Sequence, residues 1–175
     1  MDSNLSNLLS TEFSLQATQL LDQAVVKLEH CLGQLDESQI WWRPKTSLNS
    51  IANLLLHMEG NLKQWSINSV TGLPDQRQRE QEFLPEPCIT KIELWNLVSS
   101  TVEKSKQVIS SIKAEDYLTE RTIQGFNVSL LQAILHTTTH FQGHTHQIIM
   151  LTRIIKGDDY QFQWNDGSDR NTLPM

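Results

Sequence analysis

Apolar residues recur at intervals of three and four along most of this chain, which is the period of an amphipathic helix. The pattern predicts a first helix from about Glu12 to Leu35 and a second from Ile51 to just before Thr71. A third begins at Thr90, whose spacing to Glu93 is that of a capping box, and reaches about Ile112. The fourth runs from near Val128 to Ile155. No run with a period of two competes with these helices.

Four amphipathic helices can bury their apolar stripes only against one another. We therefore predict an all-α fold, an antiparallel four-helix bundle with essentially no strand. The length of 175 residues predicts one domain over 1–175. Residues 156–175 are a polar tail that we expect to lie over the bundle by its aromatic rings, Tyr160, Phe162 and Trp164.

Two segments without the helical period are predicted to connect the helices. Residues 36–48 contain Pro44 and form a connection anchored by Trp41 and Trp42. The link between the second and third helices is long. Its residues 75–87 are rich in charge and end in two prolines, so we expect irregular structure that is mobile or lies near the mouth of a site.

Composition excludes several classes of function. Fourteen Lys and Arg against twenty Asp and Glu give a net charge of -6, and the basic residues are scattered, so a nucleic-acid partner is not expected. No apolar run approaches the ~20 residues that span a bilayer, and no secretory signal pattern begins the chain. Cys31 and Cys88 stand far apart, outside any CxxC spacing. These features predict a protein of the reducing cytoplasm with no membrane partner.

The histidines carry the strongest chemical signal. Four of the six occur in HTTTHFQGHTH, residues 136–146, inside the fourth predicted helix. Positions i and i+4 are neighbours on one face, so either His136 with His140 or His140 with His144 could chelate one ion. All three cannot, because a rise of ~1.5 Å per residue places His136 and His144 ~12 Å apart. His146 points to another face of the helix.

A third ligand would have to come from another helix. His57 lies beside Leu54, Leu55 and Met58 in the apolar stripe of the second helix, whereas His30 is predicted to be a surface residue. A single histidine on an apolar face is more often a hydrogen-bonded core residue than a ligand. Two interpretations therefore stay open. His57 forms a metal site with one of the two histidine pairs, or it is an ordinary hydrogen-bonded residue of the core.

Other residues give weaker signals. Four tryptophans fall where packing between helices would place them, Trp41, Trp42, Trp65 and Trp95. Asp158, Asp159, Asp166 and Asp169 lack the ligand spacing of a calcium loop. Neither cysteine shares a helix face with a histidine, since the adjacent His30 and Cys31 point in different directions. No nucleophile, general acid or general base is therefore predicted, and the catalytic residues stay unknown.

Three segments resemble a known superfamily. WWRPKTSLNSIANLLLHMEGNLKQW, residues 41–65, is similar to the segment of DinB-like and YfiT-type metal-binding four-helix bundles that ends in a ligand histidine. HTTTHFQGHTHQI, residues 136–148, is similar to their second segment, with an HxxxH pair followed by Gln. The loop RQREQEF, residues 77–83, looks like one branch of that superfamily, although His146 stands where the branch usually has glycine.

The resemblance implies a ligand set and a function. It places the three metal ligands on His57, His140 and His144, which leaves His136 a packing or supporting role. Relatives include bacillithiol and mycothiol S-transferases and hydrolases, so it implies a metal-dependent enzyme acting on a small-molecule substrate, with a low-molecular-weight thiol as a partner and a homodimer as an expected assembly. The alternative is a non-catalytic, stress-associated metal-binding protein or a structural helical bundle.

The ligand set itself suggests what an ion there would do. Three neutral imidazoles leave a divalent ion with its full charge and an open coordination position, which is typical of a catalytic site. Imidazole ligands favour zinc or nickel as the cofactor.

Overall fold

The structure is a computed structural model that describes residues 3–85 and 89–162. Its elements, in chain order, are α1 (Ser3–Gly33), α2 (Glu37–Trp41), α3 (Ile51–Leu62), a π-helix (Lys63–Asn68), α4 (Ser69–Thr71), a 3₁₀ helix (Arg79–Phe83), α5 (Lys91–Ser110), a 3₁₀ turn (Ala114–Asp116), β1 (Glu120–Ile123), β2 (Phe126–Ser129), α6 (Leu130–Lys156) and a last 3₁₀ turn (Gly157–Asp159). The chain is thus mainly helical.

The four predicted helices correspond to α1, the continuous run from α3 to α4, α5 and α6. The first one differs, because α1 begins at Ser3 rather than near Glu12. Leu5, Leu8 and Leu9 in its opening turns are each more than half exposed. Since these leucines do not face the core, they continue no apolar stripe, and the pattern could not show this extension.

A small antiparallel sheet corrects the expectation of essentially no strand. β1 pairs with β2 from Glu120 opposite Ser129 to Ile123 opposite Phe126. Gln124 and Gly125 form the turn with positive φ angles of 53° and 83°, the conformation of a two-residue hairpin turn. Strands of four residues are too short to show a period of two. The dipeptide Gln124-Gly125 was therefore the only part of the sequence that could have indicated a hairpin.

Local sequence sets the helix ends. Helices α2, α3, α5 and α6 each begin with a capping box, in which the N-cap side chain and the side chain three residues later satisfy free backbone N–H groups. The four pairs are Asp36 with Gln39, Ser50 with Asn53, Thr90 with Glu93, and Ser129 with Gln132. Gly72, in the left-handed conformation at φ 73°, ends the run that starts at Ile51.

The long helices bury their apolar sides against one another. α1 packs against α5 and α6, and α3 packs against the same two helices. The core they enclose includes Leu21, Leu28, Leu55, Ile109 and Phe141. This packing brings the middle of α3 against the middle of α6, which positions the histidines of both.

The predicted connection 36–48 contains the short helix α2, whose Ile40 is fully buried. Trp41 packs against the core, as Trp65 and Trp95 do elsewhere. Trp42 differs, because it is 42% exposed. Trp42 directly follows α2, and its exposed indole does not anchor the connection.

The described part of the tail folds back over the helices by its rings, as expected. The Arg153 guanidinium lies over the rings of Tyr160 and Phe162, and the Gln161 carbonyl contacts His30. His30 is consequently half-buried beneath the tail rather than a plain surface residue. Cys31 is a buried free thiol, and Cys88 and Trp164 lie outside the described residues.

None of the helices in the described ranges is long and apolar enough to cross a bilayer.

Candidate metal centre

The structure brings His57, His140 and His144 together. His57 comes from α3, and the other two lie one turn apart on α6, which packs against α3. The Nε2 atom of His140 lies 3.2 Å from Nε2 of His57 and 3.1 Å from Nε2 of His144. Each residue offers a ligand atom within 4.8 Å of the others. Three histidines this close could bind a metal ion.

The remaining histidines lie outside this group. His136 stacks on Trp65, with ring centroids 4.1 Å apart and planes at 39°, and its ring centroid lies 5.7 Å from that of His140. His146 is exposed on another face of α6. The packing role predicted for His136 agrees with its position against Trp65.

Hydrogen bonds at the outer nitrogens determine which nitrogens face inward as acceptors. Nδ1 of His57 lies 2.8 Å from Oε2 of Glu82, and Nδ1 of His144 lies 2.8 Å from Oε1 of Gln147. A carboxylate or amide oxygen can only accept, so each Nδ1 carries the proton. The Nε2 atoms of His57 and His144 therefore present lone pairs toward His140.

This arrangement fits a divalent ion. Tetrahedral bonds of ~2.0–2.1 Å place neighbouring ligand nitrogens ~3.3 Å apart, close to the separations of 3.2 and 3.1 Å seen here. Without a cation, an Nε2 proton on His140 could bond only one of the two facing lone pairs. The donor set therefore suits a shared cation better than it suits a hydrogen bond.

Burial favours the neutral form of three α6 histidines, His136, His140 and His144. Burial, together with the unfavourable effect of a further positive charge beside the other imidazoles and Arg77, lowers the pKa of His140 to about 3. Burial likewise lowers the pKa values of His144 and His136. Neutral imidazole is the form that binds metals, so the environment favours the ligand state of these side chains.

Glu82 and Arg77 form a buried ion pair behind His57. Arg77 donates from Nε to Oε1 of Glu82 at 2.6 Å and from Nη2 to Oε2 at 2.8 Å. Burial by itself would raise the pKa of Glu82, but the hydrogen bonds from Arg77 and His57 bring that pKa below its ordinary value. The carboxylate is therefore ionised, and it accepts a hydrogen bond from His57 Nδ1, although Arg77 Nη2 also lies 3.1 Å from that nitrogen.

The loop that carries Glu82 is held against α3. Asn53 donates to the carbonyls of Glu82 and Leu84, and Arg43 donates to those of Phe83 and Leu84. A Cβ atom on Gly60 would overlap the Glu82 carboxylate and lie 2.8 Å from Arg77 Nε. Residues 75–85 thus form a wall of the site, which agrees with the expectation that this connection lies near its mouth.

A cavity of about 440 Å³ adjoins the centre. Its lining comes from α3, the π-helix, the loop, the hairpin turn and α6, and consists of His57, Asn61, Gln64, Arg77, Arg79, Gln124, His136 and His140. Gln64 connects three of these elements, because its Oε1 accepts from Arg77 and Gln124 while its Nε2 donates to Asp75. Two of the three clustered histidines therefore face an opening.

Sequence reasoning missed Glu82, Arg77 and Gln124. Glu82 and Arg77 lie in a charged loop without periodicity, and Gln124 lies in the unpredicted hairpin. Gly60 was the available signal for the loop, since a glycine inside an apolar helix costs about 1 kcal/mol and often marks a close approach.

Comparisons with known proteins support the fold. A family model described as a protein of unknown function, DUF1572, matches residues 9–164. A crystal structure of a conserved protein from Enterococcus faecalis is similar, with a TM-score of 0.66 and 17% identity, and the match covers 82% of this chain and 97% of that chain. At that identity the likeness shows the fold alone. No curated protein matches the chain.

Proposed function

The chain belongs to the DUF1572 family, whose function is unknown, and we propose that it is a divalent-metal protein whose ligands are the Nε2 atoms of His57, His140 and His144. One observation carries the proposal. Three imidazole nitrogens converge at 3.1 and 3.2 Å while two outer Nδ1 atoms have acceptors of their own. Ligand histidines commonly donate their second nitrogen in this way.

The proposed role is enzymatic, as a thiol S-transferase or a hydrolase acting on a small molecule. The support is the cavity, because His57 and His140 line an opening of about 440 Å³, whereas a purely structural site closes its coordination shell with side chains. A divalent ion held by three neutral imidazoles supplies Lewis acidity toward a water or a thiol. Zinc or nickel suits these ligands.

The chain's own residues have distinct parts in this proposal. Glu82 holds the proton on His57 Nδ1, and Arg77 keeps that carboxylate ionised. The Gln147 side-chain oxygen likewise accepts a hydrogen bond from Nδ1 of His144. Asn61, Gln64 and Gln124 give the cavity hydrogen-bonding walls. No side chain here is assigned as general acid or base.

Several finer assignments are part of the proposal. The long helices are proposed to form an antiparallel four-helix bundle of the DinB-like type, supported by the packing of α1 and α3 against both α5 and α6. A homodimer and a low-molecular-weight thiol partner are proposed from the same resemblance, and a cytoplasmic location is proposed from the cysteine usage. The alternative function is a non-catalytic one, in which the ion ties α3 to α6.

Cobalt substitution tests the catalytic form of the proposal. Metal-free protein is loaded with Co²⁺ and titrated with 2-mercaptoethanol while its visible spectrum is recorded. We expect about one cobalt per chain and a new charge-transfer absorption on thiol addition, since an open position faces the cavity. If cobalt binds but its spectrum does not change on addition of either thiol or azide, the result would contradict the enzymatic role and support the structural one.

A further inference from the structure

The charge of the cavity is opposite to that of the chain as a whole. The protein has a net charge of -6, but the lining of this cavity contains two arginines and no carboxylate among the residues that the structure describes. The other lining groups are amides and imidazoles. A cavity with this lining attracts anions and disfavours cations.

The two arginines differ in how they are paired. Arg77 is neutralised, since it donates to both oxygens of Glu82. Arg79 is exposed, and within residues 3–85 and 89–162 no carboxylate pairs with it. Its guanidinium lies 5.5 Å from the centroid of the Phe83 ring, and Phe83 in turn packs against His57, with ring centroids 5.1 Å apart. Arg79 is therefore a cation at the rim that stacks on an aromatic ring and has no carboxylate partner among the described residues.

Asn61 adds a second donor from a buried position. The residue is 5% exposed, and its Oδ1 accepts from Thr137 at 2.9 Å. Its Nδ2 donates to no other residue in the described part of the chain, although the residue lines the cavity. Since Nδ2 is not fully buried, it can donate a hydrogen bond to an acceptor in the cavity.

From these contacts we infer that the cavity binds a small substrate carrying an oxyanion, a carboxylate or phosphate, with Arg79 as the binding cation and Asn61 as a second donor. This inference rests on the proposed function only in placing the anion beside the three histidines. An oxyanion is acceptor-only and matches the guanidinium fork and the free amide. A volume of about 440 Å³ suits a metabolite rather than a polymer.

Calorimetric titration with inorganic phosphate and with acetate tests the inference in wild type, Arg79→Gln and Arg153→Gln. Arg153 is the matched control, because it also lies over aromatic rings but is ~13 Å along α6 from His144. Loss of a charge-assisted contact should weaken binding of both oxyanions at least ~10-fold in Arg79→Gln. Arg153→Gln should bind like wild type. Asn61→Ala should weaken binding less.

The titrations are run on zinc-loaded and on chelator-treated protein, with zinc content measured in parallel. Stoichiometric zinc with oxyanion affinities unchanged by Arg79→Gln would overturn this inference and leave the proposed function standing. Absence of zinc, with oxyanion binding that still depends on Arg79, would do the reverse. Equal weakening in both arginine variants, or no oxyanion binding in either form of the wild type, would also overturn the inference.

Discussion

Nδ1 of His57 lies 2.8 Å from Oε2 of Glu82, a residue 25 positions further along the chain. This contact joins the middle of an apolar helix to a charged loop. Arg77 keeps this carboxylate ionised, so the carboxylate can only accept a hydrogen bond. The proton of His57 therefore lies on Nδ1, and the Nε2 that faces His140 carries none. The loop thereby sets the tautomer of a proposed ligand.

Removing that acceptor should weaken metal binding. In Glu82→Ala, His57 loses its orienting partner, and we expect zinc affinity to fall ~10–100-fold. Glu82→Gln should lose less, because an amide oxygen still accepts the Nδ1 proton. Competition against a chromophoric chelator measures the affinity. Glu80→Ala, on the same 3₁₀ helix but exposed, is the control. Equal affinities in Glu82→Ala and wild type would refute the positioning role.

Two helical glycines should respond in opposite directions to alanine. A Cβ on Gly143 meets nothing within 4 Å, so Gly143→Ala should raise the free energy of unfolding by up to about 1 kcal/mol through helix propensity. A Cβ on Gly60 would overlap Glu82 and press on Arg77, so Gly60→Ala should lower that free energy and weaken zinc binding. Urea unfolding measures both. Stabilisation of similar size in the two variants would show that the loop does not press on α3.

The sequence predicted the parts of this site that depend on local period. The i,i+4 spacing of the histidines on α6 and the place of His57 in an apolar stripe are properties of single helices. Spacing alone left His136 with His140 and His140 with His144 both open, and the family resemblance selected the second pair. The partners that orient them are different, because Glu82 reaches His57 from an aperiodic loop and Gln124 reaches Gln64 from a hairpin of four-residue strands. Such contacts depend on how the loops pack back against the helices, and a periodic pattern in the sequence does not predict that packing. The early start of α1 was missed because its exposed leucines face no core.

Cys31 should be a slow thiol. Burial raises its pKa above the ordinary value, despite hydrogen bonds with Thr152 and Tyr160. At any given pH the thiolate fraction is therefore smaller than in an exposed cysteine, and the reaction rate should climb only at higher pH. Labelling with a disulfide reagent in a Cys88→Ser background, folded and in urea, measures this rate. Folded protein that reacts as fast as unfolded protein at neutral pH would contradict the burial of Cys31.

The metal content of purified protein is the most direct test of the three-histidine centre. Elemental analysis should find about one divalent ion per chain in wild type, and His57→Ala, His140→Ala and His144→Ala should each lose most of it, since two imidazoles hold an ion far more weakly than three. His146→Ala, an exposed change on the same helix, should keep the wild-type content. Undiminished metal in all three ligand variants, or none in wild type after loading with zinc or nickel, would contradict the account.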